Sequence, residues 1–91
     1  MDSSYYGLVL YEDERDELLK LCIREDIPIS YPDMFSKDYP MTYMWVFSTK
    51  GIGGASTIVM HYMSKNRLRI IHGVKELKEF FNTDEWKSYH R

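Results

Sequence analysis

Two histidines, His61 and His72, have the spacing that comes nearest to a chemical site in this sequence. They flank residues 64–66, Ser-Lys-Asn, which favour a tight turn between two antiparallel strands. A two-residue turn at this place would make the two histidines diagonal neighbours on one sheet face, with their backbones about 7–8 Å apart. Two imidazoles at that separation could share a metal ion or a phosphate, and a hydrolase-like enzyme would depend on one of them.

The sequence supplies little else for such a site. The same predicted face would carry Thr57, Val59 and Met63 in place of further carboxylate or thiol ligands. Cys22 lies among apolar residues of a predicted helix, where a thiol is usually inert. No serine, histidine and acid follow one another in a recognisable catalytic order. We therefore predict no metal, no cofactor and no catalytic residue, and a hydrolase-like enzyme is only the third alternative for function.

The segment of residues 51–54, Gly-Ile-Gly-Gly, has the composition of a phosphate-binding loop, because glycines let backbone amides approach an anion. Phosphate loops lead into a helix, however, whereas residues 55–63 are predicted to form a strand. Lys50 is the cation next to the glycines in the sequence. We interpret this segment as the tip of a long β-hairpin that a partner can contact.

Basic residues around the predicted strands suggest a second kind of surface, one that binds nucleic acid or a nucleotide. Cations beside an exposed aromatic strand face can hold phosphates while the rings stack on bases. The predicted cations are Lys50, Lys65, Arg67 and Arg69, and the predicted rings are Tyr43, Trp45 and Phe47. The alternative interpretation is that the rings belong to the core and the cations to a solvated face.

The distribution of charge argues against nucleic acid as the main partner. The net charge is −2, and sequence-independent binding to nucleic acid depends on neutralising phosphates. Residues 1–40 hold ten acidic and four basic residues, whereas residues 41–91 hold four acidic and eight basic ones. The acids at residues 12–17 also have a structural reason to be there, because they complement the dipole at the start of a predicted helix.

Hydrophobic periodicity predicts a single α+β domain over residues 1–91. We expect a small antiparallel sheet of about four strands with the helices packed mainly on one face. The predicted order is β-α-loop-β-β-β-α-α, with strands at 5–11, 41–50, 55–63 and 67–72 and helices at 12–24, 74–82 and 84–90. A proline-punctuated loop covers residues 26–40, within which residues 34–37 have the composition of one helical turn.

Aromatic residues are numerous for so small a chain, at 15% of the sequence, and this favours a protein-binding function. Strand 41–50 carries large apolar groups on both faces, so the loop or a second copy in a homodimer must cover one of them. We predict a small non-catalytic module, an inhibitor or accessory protein of the kind encoded by phages and mobile elements. The predicted partner-binding residues are Tyr31, Phe35, Tyr39, Tyr43, Trp45 and Phe47.

The sequence also predicts where the protein acts. It begins without the basic and apolar regions of a signal peptide, and no stretch approaches the roughly 20 apolar residues of a spanning helix. A single cysteine cannot form an internal disulfide. These features favour a cytoplasmic protein without a membrane partner.

Overall fold

The computed structural model describes residues 5–90, with only the backbone at residue 90, and confirms the α+β class. Within this range the chain forms four strands and four α-helices. The strands are β1 (Tyr6–Val9), β2 (Met44–Ser48), β3 (Gly51–Gly54) and β4 (Ile70–His72). The helices are α1 (Arg15–Arg24), α2 (Thr57–Lys65), α3 (Gly73–Phe80) and α4 (Asp84–His90), and a 3₁₀ turn spans Pro32–Phe35.

The four strands form one sheet in the order β3-β2-β1-β4. The pairs β1–β2 and β2–β3 are antiparallel, but β1 and β4 run parallel, with Leu8 opposite Ile71. The sheet is therefore mixed, where the sequence predicted antiparallel pairing throughout. Parallel pairing needs a long connection between the two strands. Residues 10–69, which include α1 and α2, separate the end of β1 from the start of β4.

Alternate residues of the strands point to one face of the sheet and form the core. On that face Tyr6 lies opposite Phe47, and Leu8 lies between Trp45 and Ile71. Helices α1, α3 and α4 cover this face, because their apolar residues belong to the same buried cluster. Three large rings from the C-terminal part of the chain complete it: Phe80, Phe81 and Trp86.

The opposite face of the sheet is covered in part by α2. Gly7 leaves room for this helix, since a Cβ there would lie 3.2 Å from Met60 Cε and 3.4 Å from Met63 Sδ. Both methionines are buried. Three helices thus pack on one face and one on the other, which confirms the predicted arrangement. The second face, for which we predicted cover by the loop or a second chain, is partly covered by the chain's own helix.

The segment predicted as the third strand, residues 55–63, instead forms most of α2. Ser56 caps this helix, because its Oγ accepts a hydrogen bond from the backbone N–H of Val59 at 3.2 Å. The glycine segment is itself the strand β3, and the hairpin turn falls at residues 49–50. Glycine suits this strand because a Cβ at Gly54 would lie 2.8 Å from Met34 Cε.

Candidate functional site

The two histidines are not brought together as predicted. The hairpin that would have paired them does not exist, because residues 57–65 form α2, which leaves His61 exposed on a helix. His72 ends β4, where its Nδ1 lies 2.8 Å from Tyr11 Oη and its ring stacks on that tyrosine. Among the side chains of residues 5–89, no three histidine, cysteine or acidic groups are placed to hold a metal ion together.

The predicted basic residues lie near one end of the sheet. Lys50 occupies the turn between β2 and β3, and Lys65 and Arg67 lie where the chain leaves α2 towards β4. The strand registers place the β2–β3 turn and the segment before β4 at the same end of the sheet, which is the end where β1 begins. Arg69, however, bonds to Glu85 Oε1 at 2.7 Å and lies 5.3 Å from the centre of the Phe80 ring.

Three of the six predicted partner-binding residues belong to the core. Trp45 is fully buried, and Phe35 and Phe47 are nearly so. The Phe35 and Trp45 rings pack in a tilted arrangement with their centres 5.2 Å apart, and Trp45 Nε1 donates a hydrogen bond to the carbonyl of Thr42 at 2.8 Å. The cause is that three helices cover this sheet face, so the strands present no aromatic surface to a base or a partner.

The other three predicted residues are exposed tyrosines. Tyr31, Tyr39 and Tyr43 show 64%, 42% and 50% of their surface to solvent. All three come from the loop between α1 and β2, and we call them the tyrosine surface. A pocket of about 240 Å³ lies within this loop, lined by Asp33, Ser36, Asp38 and Tyr39. Of the three tyrosines, Tyr39 therefore lies directly beside two acidic side chains.

A buried arginine fixes the loop that carries the tyrosine surface. Only 4% of Arg15 is exposed, and its Nη1 donates hydrogen bonds to the carbonyls of Ser36 at 2.8 Å and Tyr39 at 3.0 Å. A third, longer bond of 3.4 Å reaches the carbonyl of Met34. One side chain at the start of α1 thus ties down three backbone groups about twenty residues later in the chain.

Asp13 holds Arg15 in this position. Its two carboxylate oxygens accept hydrogen bonds from Arg15 Nε at 2.9 Å and Nη2 at 2.8 Å, a two-point pairing that orients the guanidinium. The hydrogen bonds from Arg15 lower the pKa of Asp13 from 3.8 to about 2. The pair is therefore fully charged at neutral pH, and the guanidinium keeps its remaining N–H groups aimed at the loop.

Sequence reasoning missed the role of Arg15. It explained the acids of residues 12–17 by the helix dipole, which holds for Asp16 and Glu17 in the first turn of α1. The signal in the sequence was Arg15 itself, the one cation among the five acids of residues 12–17. A cation at the start of a helix opposes the helix dipole, so it needs another reason to be there.

A second exposed apolar surface lies on α2 and was also missed. Ile58 is 81% exposed, Tyr62 is largely exposed, and Val59 is partly so; we call these three the α2 surface. The helix contains no acidic residue. It is held to the sheet through Met60 and Met63, while its other side faces solvent. Two features of the sequence could have revealed this helix: Met60 and Met63 are three residues apart, as on one face of a helix, and Ser56 is a typical capping residue.

The single cysteine is buried in the core, as its sequence context predicted. Burial raises the pKa of the Cys22 thiol to about 12, because the thiolate would lose its hydration there. The reactive thiolate is thus almost absent at neutral pH.

Comparisons with known proteins add no family to this picture. No protein-family model, curated protein or solved structure matches the chain significantly. In the part of the chain that the structure describes, no helix is both long enough and apolar enough to cross a membrane.

Proposed function

We propose that this protein is a small, non-catalytic protein-binding module that holds its partner on the tyrosine surface. The observation that carries the proposal is the Arg15 anchor, which bonds the carbonyls of Met34, Ser36 and Tyr39 in the middle of the loop that carries the exposed tyrosines. Such a module would serve as an inhibitor or accessory protein in the cytoplasm, of the kind encoded by phages and mobile elements. Its single, buried, unpaired thiol is compatible with a reducing compartment.

The anchor favours binding because it lowers the entropic cost of association. A loop that must be ordered on binding loses part of the interaction free energy, whereas a loop that is already fixed does not. Arg15 spans the loop from Met34 to Tyr39, so it restrains the backbone on both sides of the acidic pocket. Tyrosine adds a large contact area with few rotatable bonds. The combination resembles the physical design of an antibody paratope.

The charges of the loop indicate a basic partner. Asp33 and Asp38 line the pocket beside Tyr39, and neither makes an ion pair shorter than 4.0 Å with another described residue. Lysine or arginine side chains of a partner would therefore find carboxylates and an aromatic ring at one place. Salt should slow association with such a partner, since exposed charges are screened within about 8 Å at physiological ionic strength.

The proposal departs from the sequence prediction in one respect. The aromatic strand face takes no part, because Trp45 and Phe47 are core residues. What supports the proposal is the loop alone, through Tyr31, Tyr39 and Tyr43.

Affinity capture from a lysate of the native host tests this proposal. We expect the protein to retain a defined host protein that a Tyr39→Ala, Tyr43→Ala double variant does not retain. Tyr5→Ala is the matched control, since Tyr5 is equally exposed but precedes β1, away from the loop. Circular dichroism and thermal unfolding must show that all variants fold alike.

Two outcomes would contradict the proposal. Retention of the same host protein by the double variant would exclude the tyrosine surface. Retention on immobilised single-stranded nucleic acid, with steep salt dependence and loss on changing Lys65 and Arg67 to Ala, would instead favour the nucleic-acid alternative.

A further inference from the structure

A pocket between α1 and α3 gathers more positive charge than the surrounding contacts neutralise. The two helices follow the parallel strands β1 and β4 on the same face of the sheet, so they run in the same direction side by side. The pocket between them has a volume of about 190 Å³. It is lined by Glu17, Lys20, Leu21 and Arg24 of α1 and by Val74 and Lys78 of α3.

The floor of this pocket is apolar and its rim is cationic. Leu21 and Val74 form the floor, and both belong to the buried core. Three cations and one carboxylate surround them. Within residues 5–90, neither Lys20 nor Lys78 has a carboxylate within 4.0 Å, so Glu17 does not neutralise them by direct contact.

Arg24 is oriented by a neighbour whose own position is fixed. Glu25 Oε2 accepts a hydrogen bond from Arg24 Nε at 3.1 Å, while Glu25 Oε1 accepts one from the indole N–H of buried Trp86 at 2.8 Å. The Nε group of Arg24 is thus occupied, and no protein group bonds its two Nη groups among the described contacts. A guanidinium with a held stem and open N–H groups is suited to a carboxylate.

From this geometry we infer that the α1–α3 pocket binds a small organic monoanion, a carboxylate with a short hydrocarbon tail. The carboxylate pairs with Lys20 and Lys78 and accepts hydrogen bonds from the Nη groups of Arg24, whose charge Glu25 already offsets in part, while the tail covers Leu21 and Val74. Inorganic phosphate fits less well, because it has no apolar part to cover Leu21 and Val74. The volume also falls below the ~300 Å³ that drug-sized ligands usually occupy.

Titration of the intact protein with hexanoate, followed by amide NMR, tests this inference. We expect saturable shifts at Leu21, Arg24, Val74 and Lys78, with a dissociation constant in the millimolar range. Acetate should bind on the order of tenfold more weakly because it lacks the tail. Hexylammonium, which has the same tail and the opposite charge, should leave these amides unshifted.

Variants that remove a single positive charge test whether the cationic rim causes hexanoate binding. Lys20→Gln and Lys78→Gln should each weaken hexanoate binding by about threefold, and the double variant by about tenfold. Lys75→Gln is the matched control, because Lys75 is an exposed lysine of the same helix that does not line the pocket. These surface changes leave the core intact, so each variant should fold.

Several results would overturn the inference. Shifts that fail to saturate, or that hexylammonium reproduces, would show that the pocket does not select an anion. Tighter binding of inorganic phosphate than of hexanoate would exclude the role of the apolar floor. An equal loss of binding in Lys75→Gln would show that only the general charge of the protein matters.

Discussion

The tyrosine surface and the α2 surface both expose large side chains, but the molecule holds them by different means. Arg15 bonds three backbone carbonyls beneath the tyrosine surface, so the backbone of that loop is fixed by directional contacts. Helix α2 is held to the sheet mainly by Met60 and Met63 over Gly7. Thioether side chains adapt easily to a changed neighbour, whereas a paired guanidinium demands one geometry.

Exposure alone therefore does not identify the better binding site. Ile58 on α2 is the most exposed of the large apolar side chains that the structure describes, yet the helix that carries it is held to the sheet by the adaptable side chains of Met60 and Met63. The tyrosines are less exposed but stand on a preorganised backbone. Preorganisation lowers the cost of binding, and this is why the proposed function rests on the loop.

The largest expected effect comes from removing the anchor. Arg15→Met should leave the carbonyls of Ser36 and Tyr39 without their donor and Asp13 without its partner. This variant should therefore lower the melting temperature more than any other substitution proposed below. Amide exchange at Ser36 and Tyr39 should accelerate, while that of α2 follows only the global stability. Lys37→Met is the control, because Lys37 is largely exposed. Unchanged exchange in the loop would show that Arg15 does not fix it.

The next effect should appear at the other surface. Gly7→Val places methyl groups where Met60 and Met63 approach the strand, so we expect a loss of about 1–3 kcal/mol in the free energy of unfolding. Chemical unfolding measures this loss, and amide shifts should concentrate in α2. Gly53→Val is the matched control, because no atom lies within 4 Å of a Cβ at that position. Equal losses in both variants would contradict the packing of α2 on Gly7.

The smallest effect is a pH dependence confined to the anchor. Folding lowers the pKa of Asp13 from 3.8 to about 2, so the folded state binds this proton less readily than the unfolded state. The Asp13–Arg15 pair therefore adds stability that is fully present above about pH 4 and is lost as the pH falls through 2. Amide exchange in the loop, measured between pH 5 and about 2, should reveal this loss. Asp13→Asn should abolish it, and an unchanged profile in that variant would contradict the assignment.

The sequence predicted the elements whose pattern is local. Three helices and two strands lie close to their predicted positions: α1, α3, α4, β1 and β2. Thr83 directly precedes α4 and accepts a hydrogen bond from the backbone N–H of Trp86 at 3.3 Å, as a capping residue does. These features depend on residues a few positions apart, so periodicity and capping rules reveal them.

The errors arose where distant contacts decide the outcome. The β-branched pair Ile58 and Val59 favours a strand locally, but the seating of Met60 and Met63 on Gly7 favours a helix. The Arg15 anchor was also hidden, because its acceptors are backbone carbonyls that have no sequence signature. Of the candidate site, the sequence therefore predicted the exposed tyrosines of the loop, and not the side chain that positions them.

The most direct test of the central claim compares the two surfaces in one binding measurement. Calorimetric titration of the captured host protein should give a dissociation constant about 30-fold higher for Tyr39→Ala than for the unaltered protein, as expected for an aromatic side chain central to an interface. Ile58→Ala should change it by less than about threefold. The opposite order, with Ile58→Ala abolishing binding and Tyr39→Ala leaving it unchanged, would contradict the assignment of function to the tyrosine surface.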